Sequence, residues 1–356
     1  MLGCVIHGQG DLRVQELPVP EPGPGQALVA VRYGGVCGSD LHYWRHGAVG
    51  DFRLREPMVL GHEVAGTVVS YGPGAGGPAP GTAVAVHPAT PCGTCPECAD
   101  GRRNVCRDTR YLGSAARFPH VQGGFAARVA VPAAQVRPLP AGLDLRRAAL
   151  AEPLAVALHA VRRAGDVAGR HLLVTGAGPI GCLVVAAARA ADAARVTVTD
   201  LVPRGLRYAS AAGADTVVRA DDPADPGWPS EADVAVEASG VADGLGTCLR
   251  LVRRGGVVVQ LGMLPAGRSP FAGNLVVSRE IELRGAFRFD TEFDGALRLL
   301  AAEPVFDELV SAVVPVADAE AAFALAADRA RSCKVLLDFG VPQVGQEGLG
   351  KVVGSR

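Results

Sequence analysis

Residues 171–181 read HLLVTGAGPIG: an apolar, β-prone run that passes directly into a turn with glycines at 176, 178 and 181. An Ala-rich apolar stretch follows, with Pro179 and Ile180 opening it, which predicts a helix over 179–191. A G-x-G-x-x-G match carries weight only in this strand-turn-helix context. Gly176 allows the tight turn, Gly178 the close approach of a pyrophosphate, and Gly181 the packing of helix on strand, with the helix N-terminus facing the phosphates. Asp200 ends the next apolar run, nineteen positions after Gly181. An acid there can hydrogen-bond both ribose hydroxyls and repel a 2′-phosphate, which favours NAD. Arg204 is a nearby cation that would accommodate that phosphate, so NADP stays possible. Gly262, just past the apolar run 256–261, is assigned to the same cofactor face.

The rhythm around this motif sets the fold class. From about residue 150, apolar strand, Gly turn and Ala-rich helix alternate (strand runs at 171–175, 195–199, 233–237 and 256–261), which implies a parallel sheet covered on both faces. Residues 1 to about 145 instead alternate short β-like runs, at 27–31, 64–69, 83–86 and 126–131, with Gly/Pro clusters, the pattern of an irregular, mostly β domain. After about 285 the period is helical again at 293–300 and 317–326, with a last strand at 335–338. The expected division is therefore a β domain over 1–148, a dinucleotide-binding domain over 149–285, a return to the first domain over 286–339, and a loosely held tail over 340–356.

Two sets of metal-ligand side chains lie in the first part. Cys92, Cys95, Cys98 and Cys106 sit in a Pro/Gly-rich lobe, 91–107, where four thiolates can close a tetrahedral zinc shell with no open position. An iron-sulfur cluster would also take four thiolates, but ferredoxin spacings differ from this one. Cys37, Ser39 and His42 in CGSDLH, His62 and Glu63 in GHE, and the distant Glu152 in AEP form the second set. A thiolate, an imidazole and a carboxylate with one position left for water or substrate make up a catalytic zinc site. Taken singly, each residue reads equally well as core or structure.

Composition narrows the alternatives. The 356 residues carry 35 basic and 36 acidic side chains, a net charge of −1, which argues against nucleic-acid or anionic-membrane partners. Only Lys334 and Lys351 are lysines, and neither stands in a Tyr-x-x-x-Lys or Schiff-base context, which excludes short-chain dehydrogenase chemistry. The start lacks a secretory pattern, and the apolar stretch around 182–188 stops at Arg189, far short of the roughly 20 residues that span a bilayer. Nine cysteines, four of them clustered, suggest metal ligation in a reducing compartment, so a cytoplasmic location is expected.

The ordered motifs CGSDLHYW (37–44), MVLGHEVAG (58–66), the four-cysteine lobe, AEPLAVALHA (151–160) and VTGAGPIG (174–181) resemble the zinc-dependent medium-chain alcohol dehydrogenases, over residues 1–339. GHE together with AEP resembles the polyol branch, sorbitol and related dehydrogenases. The resemblance implies a GroES-like catalytic domain joined to a Rossmann domain, two zinc ions per chain, a nicotinamide cofactor, and a homodimer or homotetramer. It makes Cys37, His62 and Glu152 the catalytic zinc ligands, Glu63 a neighbouring or alternating ligand, and Ser39 and His42 a proton relay. The segments GSAARFPHVQGGF (113–125) and RGAFRFDTEF (284–293) resemble idonate-type dehydrogenases more than sorbitol dehydrogenases. That implies a polyol or aldonate substrate, with Tyr43, Phe118 and Arg288 near it and Arg117 as a second candidate for a substrate carboxylate. Rival readings are a sorbitol-, xylitol- or threonine-type dehydrogenase and, more remotely, a nucleotide-binding protein without turnover. Cys4, Cys182, Cys248 and Cys333 read as core thiols, and His7, His87 and His171 as surface or strand-end residues.

Overall fold

The turn at 176–181 leaves the end of strand His171–Thr175, which lies inside a six-stranded sheet. The computed structural model describes residues 1–340, so the tail expected over 340–356 lies, from 341 on, outside the described residues. In spatial order the strands are Thr216–Arg219, Arg195–Asp200, His171–Thr175, Ala232–Glu237, Val252–Gln260 and Glu282–Gly285, all parallel. Strand order reverses between His171–Thr175 and Ala232–Glu237, the switch point where such sheets bind ligands beyond the strand ends. Leu172, Leu173, Val174, Val196, Val198, Val234 and Val236 are all fully buried, as a sheet covered on both faces requires.

The helices that cover it explain its Ala-rich sequence. Pro179–Ala190 starts with Pro in its first turn, where a missing N–H costs nothing, and buries every residue from Gly181 to Ala188. A Cβ at Gly181 would overlap the Gly176 carbonyl oxygen, so helix and turn approach as closely as glycine permits. Gly176 has φ +96°, a backbone conformation that glycine alone takes without strain. The helix Ala151–Ala164 packs on it, burying Leu154 and a row of alanines that let the two axes come close. Leu154→Ala would cost about 2–5 kcal/mol.

The first sheet runs Val136–Pro138, Ala83–Val86, Val64–Tyr71, Gln26–Gly35, Lys334–Asp338, Val310–Pro315, with Arg128–Pro132 also paired to Gln26–Gly35. Strand Lys334–Asp338 is antiparallel to Gln26–Gly35, with Leu336 opposite Gly35, so residues some 300 apart in sequence meet beside Glu63. The stretch after 285 divides between the two cores. Helix Phe293–Ala302 buries Ala296, Leu297 and Leu300 in the core it shares with Ala151–Ala164, whereas Val335 and Leu337 belong to the core of the first sheet. Among the described residues no helix is long and apolar enough to cross a membrane.

Candidate active site and metal centres

A cavity of about 420 Å³ runs from the glycine turn to the Cys37, His62 and Glu152 ligand set. Gly176, Gly178, Pro179, Ile180, Asp200 and Gly262 line one end, and Cys37, Ser39, His42, Tyr43, His62, Glu63, Glu152 and Arg288 line the other. A Cβ built on Gly178 would meet no atom within 4 Å, so the backbone there is open to a ligand, while at Gly262 it would overlap the Gly240 amide and Glu237. Asp200 Oδ2 accepts from the Ala177 amide at 2.6 Å and Oδ1 from the Val202 amide at 2.8 Å, which fixes the acid beside the turn. Arg204 lies along its own helix over the Tyr208 ring, 5.7 Å from its centroid, and is not part of the lining.

At the other end, helix Gly38–His46 starts at Cys37, whose amide donates to Asp40 Oδ2 at 3.0 Å. Asp40 is fully buried, and its Oδ1 also accepts from the Gly61 amide at 3.3 Å, so one carboxylate ties the segments that carry Cys37 and His62. Cys37, His62 and Glu63 bring one donor atom each to within 4.8 Å of one another. Glu152, on helix Ala151–Ala164, faces the same cavity but lies outside that tight group; its Oε1 accepts from the Tyr111 hydroxyl at 2.6 Å.

The electrostatics call for a cation. Burial opposes charge on His62, yet Cys37, Asp40 and Glu152 together push its pKa up to about 10. Glu63 is raised to about 7 by burial, against the pull of Lys334. Its Oε2 makes no hydrogen bond but lies against the Lys334 ammonium, so the carboxylate already has one cation beside it. A metal ion held among Cys37, His62 and the nearby carboxylates would supply the positive charge that these groups otherwise draw from a protonated imidazole. Soft sulfur, nitrogen and carboxylate oxygen together suit zinc.

The four cysteines form a second group, with Sγ–Sγ distances of 3.5 Å between Cys92 and Cys106 and 3.8 Å between Cys95 and Cys106. Sulfurs about 2.3 Å from a tetrahedral zinc stand about 3.8 Å apart, so the residues fit that ion. Amides of Thr94 and Cys95 donate to Cys92 Sγ at 3.4 Å, and that of Asp108 to Cys106 Sγ at 3.4 Å. Such N–H donors favour thiolates: hydrogen bonds from Thr94 lower Cys92 to about 6, while Cys98 is raised to about 12 by desolvation and neighbouring thiols.

Two expected substrate residues fall elsewhere. Phe118 is exposed and stacks under the Arg55 guanidinium, 4.4 Å away, and Arg117 turns outward to Asp108 at 2.7 Å. Their segment is held instead by His120, whose Nε2 accepts from the Arg55 amide. Three residues at the site escaped the sequence reading: Tyr111 and Lys334, which line the cavity, and Asp40, buried behind it. Lys334 Nζ donates to Glu63 Oε1 at 2.7 Å. Of the three, Lys334 alone carried a signal, as one of two lysines among 35 basic residues.

Comparison with known proteins agrees with this architecture. Residues 23–141 match the alcohol dehydrogenase GroES-like domain, and residues 179–302 the zinc-binding dehydrogenase domain. The chain is 40% identical over 340 residues to L-idonate 5-dehydrogenase (NAD(P)(+)) of Escherichia coli, covering 94% of this chain and 98% of that one. It is 36% identical over 320 residues to sorbitol dehydrogenase of Bos taurus, 85% and 86% of the two chains. The crystal structure of the E. coli idonate enzyme superposes with a TM-score of 0.89 over 95% of this chain and 98% of that one, at 39% identity. A zinc-binding dehydrogenase of Sinorhizobium meliloti bound to NADP superposes with a TM-score of 0.84 at 32% identity, over 95% and 98% of the chains. With a GroES-like sheet, a Rossmann sheet, two sites that fit zinc and a glycine turn that fits a nicotinamide dinucleotide, the chain belongs to the zinc-binding alcohol dehydrogenase family and is an NAD(P)-linked oxidoreductase.

Proposed function

We propose that the protein oxidises the C5 secondary alcohol of L-idonate to 5-keto-D-gluconate, with reduction of NAD. One observation carries the choice of a sugar acid. Arg288 sits half-buried at the zinc end of the cavity, and among the described residues it has no hydrogen-bonded or ion-paired acid. Its guanidinium lies 4.0 Å from the centre of the Tyr111 ring and 4.9 Å from that of Phe287, so it is packed but not neutralised. Its φ of +52° is uncommon for a residue with a side chain and is the kind of local strain that collects at ligand sites. A substrate carboxylate would satisfy it, and the acid would lose its hydration without compensation if no such cation were there. The 40% identity to an idonate enzyme supports the same choice.

Cys37, His62 and Glu152 would hold the catalytic zinc, and Cys92, Cys95, Cys98 and Cys106 the structural one. Zinc held there would supply Lewis-acid polarisation of the alcohol oxygen, and a nicotinamide in the cavity would supply the acceptor for the carbinol hydride. Ser39, in the first turn of its helix, takes the hydroxyl proton, a task for a relay rather than a strong base. His42, one turn on and lining the same cavity, passes the proton outward; burial and the neighbouring His46 and Arg45 lower its pKa, which favours release. Gly178 leaves room for the diphosphate, and Asp200 receives the adenosine ribose.

Sorbitol and xylitol oxidation is the second reading, supported by sorbitol dehydrogenases and D-xylulose reductases at 34–36% identity. The outward turn of Arg117 also leaves Arg288 without a second cation on the 113–125 segment. The exposed edge strand Glu282–Gly285 supports a homodimer or homotetramer. Initial rates with NAD and NADP against idonate, sorbitol, xylitol, gluconate and threonine test the proposal; idonate with NAD should give the highest kcat/KM, and a neutral polyol in that place would refute it.

A further inference from the structure

The segment 286–292, between strand Glu282–Gly285 and helix Phe293–Ala302, has no regular structure, yet it carries Arg288 at its φ of +52°. Side chains hold it instead. Before Arg288, the Phe287 carbonyl accepts from Asn104 Nδ2 at 2.9 Å. After it, the Asp290 amide donates to Glu292 Oε2 at 2.8 Å, and Asp290 Oδ1 accepts from Arg103 Nε at 3.0 Å. Glu292 Oε1 pairs with His159 Nδ1 at 2.9 Å, with Arg162 adding a donor at 3.0 Å, and His159 Nε2 faces the same Asn104 amide at 3.4 Å. A neutral His159 protonated at Nδ1 satisfies all of these contacts: the ring donates to the acid and accepts from Asn104, whose two N–H groups go to His159 and Phe287.

The contacts close into a ring, because Arg103 and Asn104 are neighbours in the four-cysteine lobe, between Cys98 and Cys106. His159 and Glu292 are 7% and 8% exposed. Burial opposes charge on Glu292, but His159 and the Asp290 amide outweigh it and lower its pKa to about 2, so the group stays an acceptor. A residue with a side chain persists at positive φ only where its surroundings over-determine it, and here both flanks of Arg288 are pinned. We propose that Asn104, backed by His159 and Glu292, is a positioning residue that fixes the backbone around Arg288, so that the four-cysteine lobe sets the selectivity for an acidic substrate. The inference rests on the reading of Arg288 as the carboxylate receptor. Without the ring, the 286–292 backbone relaxes and the guanidinium loses its aim into the cavity, while a neutral polyol loses little.

KM for L-idonate and for sorbitol in Asn104→Ala, alone and in the Arg288→Ala background, tests this. Asn104→Ala should raise KM for idonate about three- to tenfold and KM for sorbitol by less than about twofold, with kcat little changed. In Arg288→Ala no guanidinium is left to aim, so adding Asn104→Ala should raise KM for idonate by less than about twofold. Arg103→Ala, at a side chain half exposed to solvent, should act in the same direction, and hydrogen exchange of the 286–292 amides should quicken in both single variants. Equal losses on both substrates, or an idonate loss that persists undiminished in the Arg288→Ala background, overturns the proposal. Should Asn104→Ala not fold, Arg103→Ala decides: unchanged exchange and unchanged KM there overturn it as well. A selective idonate loss in Arg288→Ala with none in Asn104→Ala overturns the role of Asn104 and leaves the carboxylate receptor standing; no selective loss in Arg288→Ala overturns both.

Discussion

The Tyr111 hydroxyl donates to Glu152 Oε1 at 2.6 Å, and the face of the same ring carries the Arg288 guanidinium at 4.0 Å. One side chain thus joins a proposed zinc ligand to the proposed carboxylate receptor. Burial, followed by the charge of Glu152, raises the Tyr111 pKa well above that of a free phenol, so the group stays a donor. A hydrogen bond to a charged group contributes about 1.5–3 kcal/mol. Tyr111→Phe keeps the ring under Arg288 and loses that bond. It should lower kcat/KM by roughly ten- to a hundredfold while both zincs are retained, measured by steady-state kinetics and metal analysis of the same sample.

The two metal sites should part company under substitution. Cys95→Ser opens the four-cysteine lobe, whose zinc contributes binding free energy to the folded state, and should lower Tm and release one zinc. Cys37→Ser should release the other zinc and abolish turnover with Tm nearly unchanged. Near-normal kcat in Cys37→Ser would show that the catalytic metal lies elsewhere.

NAD should be preferred to NADP because Asp200 lines the cavity beside the glycine turn, where it would face the additional phosphate. One close charge repulsion at a partly exposed site is worth about 1–3 kcal/mol, or roughly ten- to a hundredfold in kcat/KM. Asp200→Asn keeps an acceptor for one of the Ala177 and Val202 amides, removes the charge and should narrow the gap. Equal use of both cofactors by the unsubstituted protein would mean that a cation offsets Asp200. Arg204, packed along Tyr208, is poorly placed for that.

Acid should weaken the fold through His87. Its ring packs at 5.0 Å from Phe289 and 5.1 Å from Phe293, and burial, helped by Arg137, lowers its pKa to about 4. An unfolded histidine titrates near about 6.5. The folded state therefore favours the neutral ring: this contribution is complete above about pH 6.5 and is lost as pH falls towards 4, up to about 3 kcal/mol. His87→Asn should flatten the decline of Tm across that window, measured by thermal melts at constant ionic strength.

How much of this was legible in the sequence follows from the range of each signal. The glycine turn and its strand are local, and a strand followed by G-x-G-x-x-G reads the same on paper and in space. The same holds for four cysteines within fifteen residues. Lys334 and Glu63 are 271 positions apart, and only the pairing of Leu336 with Gly35 brings them together. Tyr111 carried no signal of its own, because its partner lies on a helix 41 residues away. Phe118 and Arg117 misled by proximity in sequence: they share a segment with cavity-lining Gly113 and Ser114, but the chain turns outward before it reaches them. Helix Phe293–Ala302 packs with the Rossmann core, while the strands after it divide, Val310 and Leu336 joining that core and Val335 and Leu337 the core of the first sheet, a choice that periodicity cannot reveal, since an apolar stripe does not say which core it meets.

The measurement closest to the central claim is KM for L-idonate and for sorbitol in Arg288→Ala. Losing the cation removes a charge-assisted hydrogen bond from the acid and nothing comparable from the neutral polyol. KM for idonate should therefore rise roughly ten- to a hundredfold, and KM for sorbitol by less than about threefold. Equal losses on both substrates would contradict a carboxylate receptor at Arg288, and brisk sorbitol oxidation with no measurable idonate turnover in the unsubstituted protein would contradict the sugar-acid assignment itself.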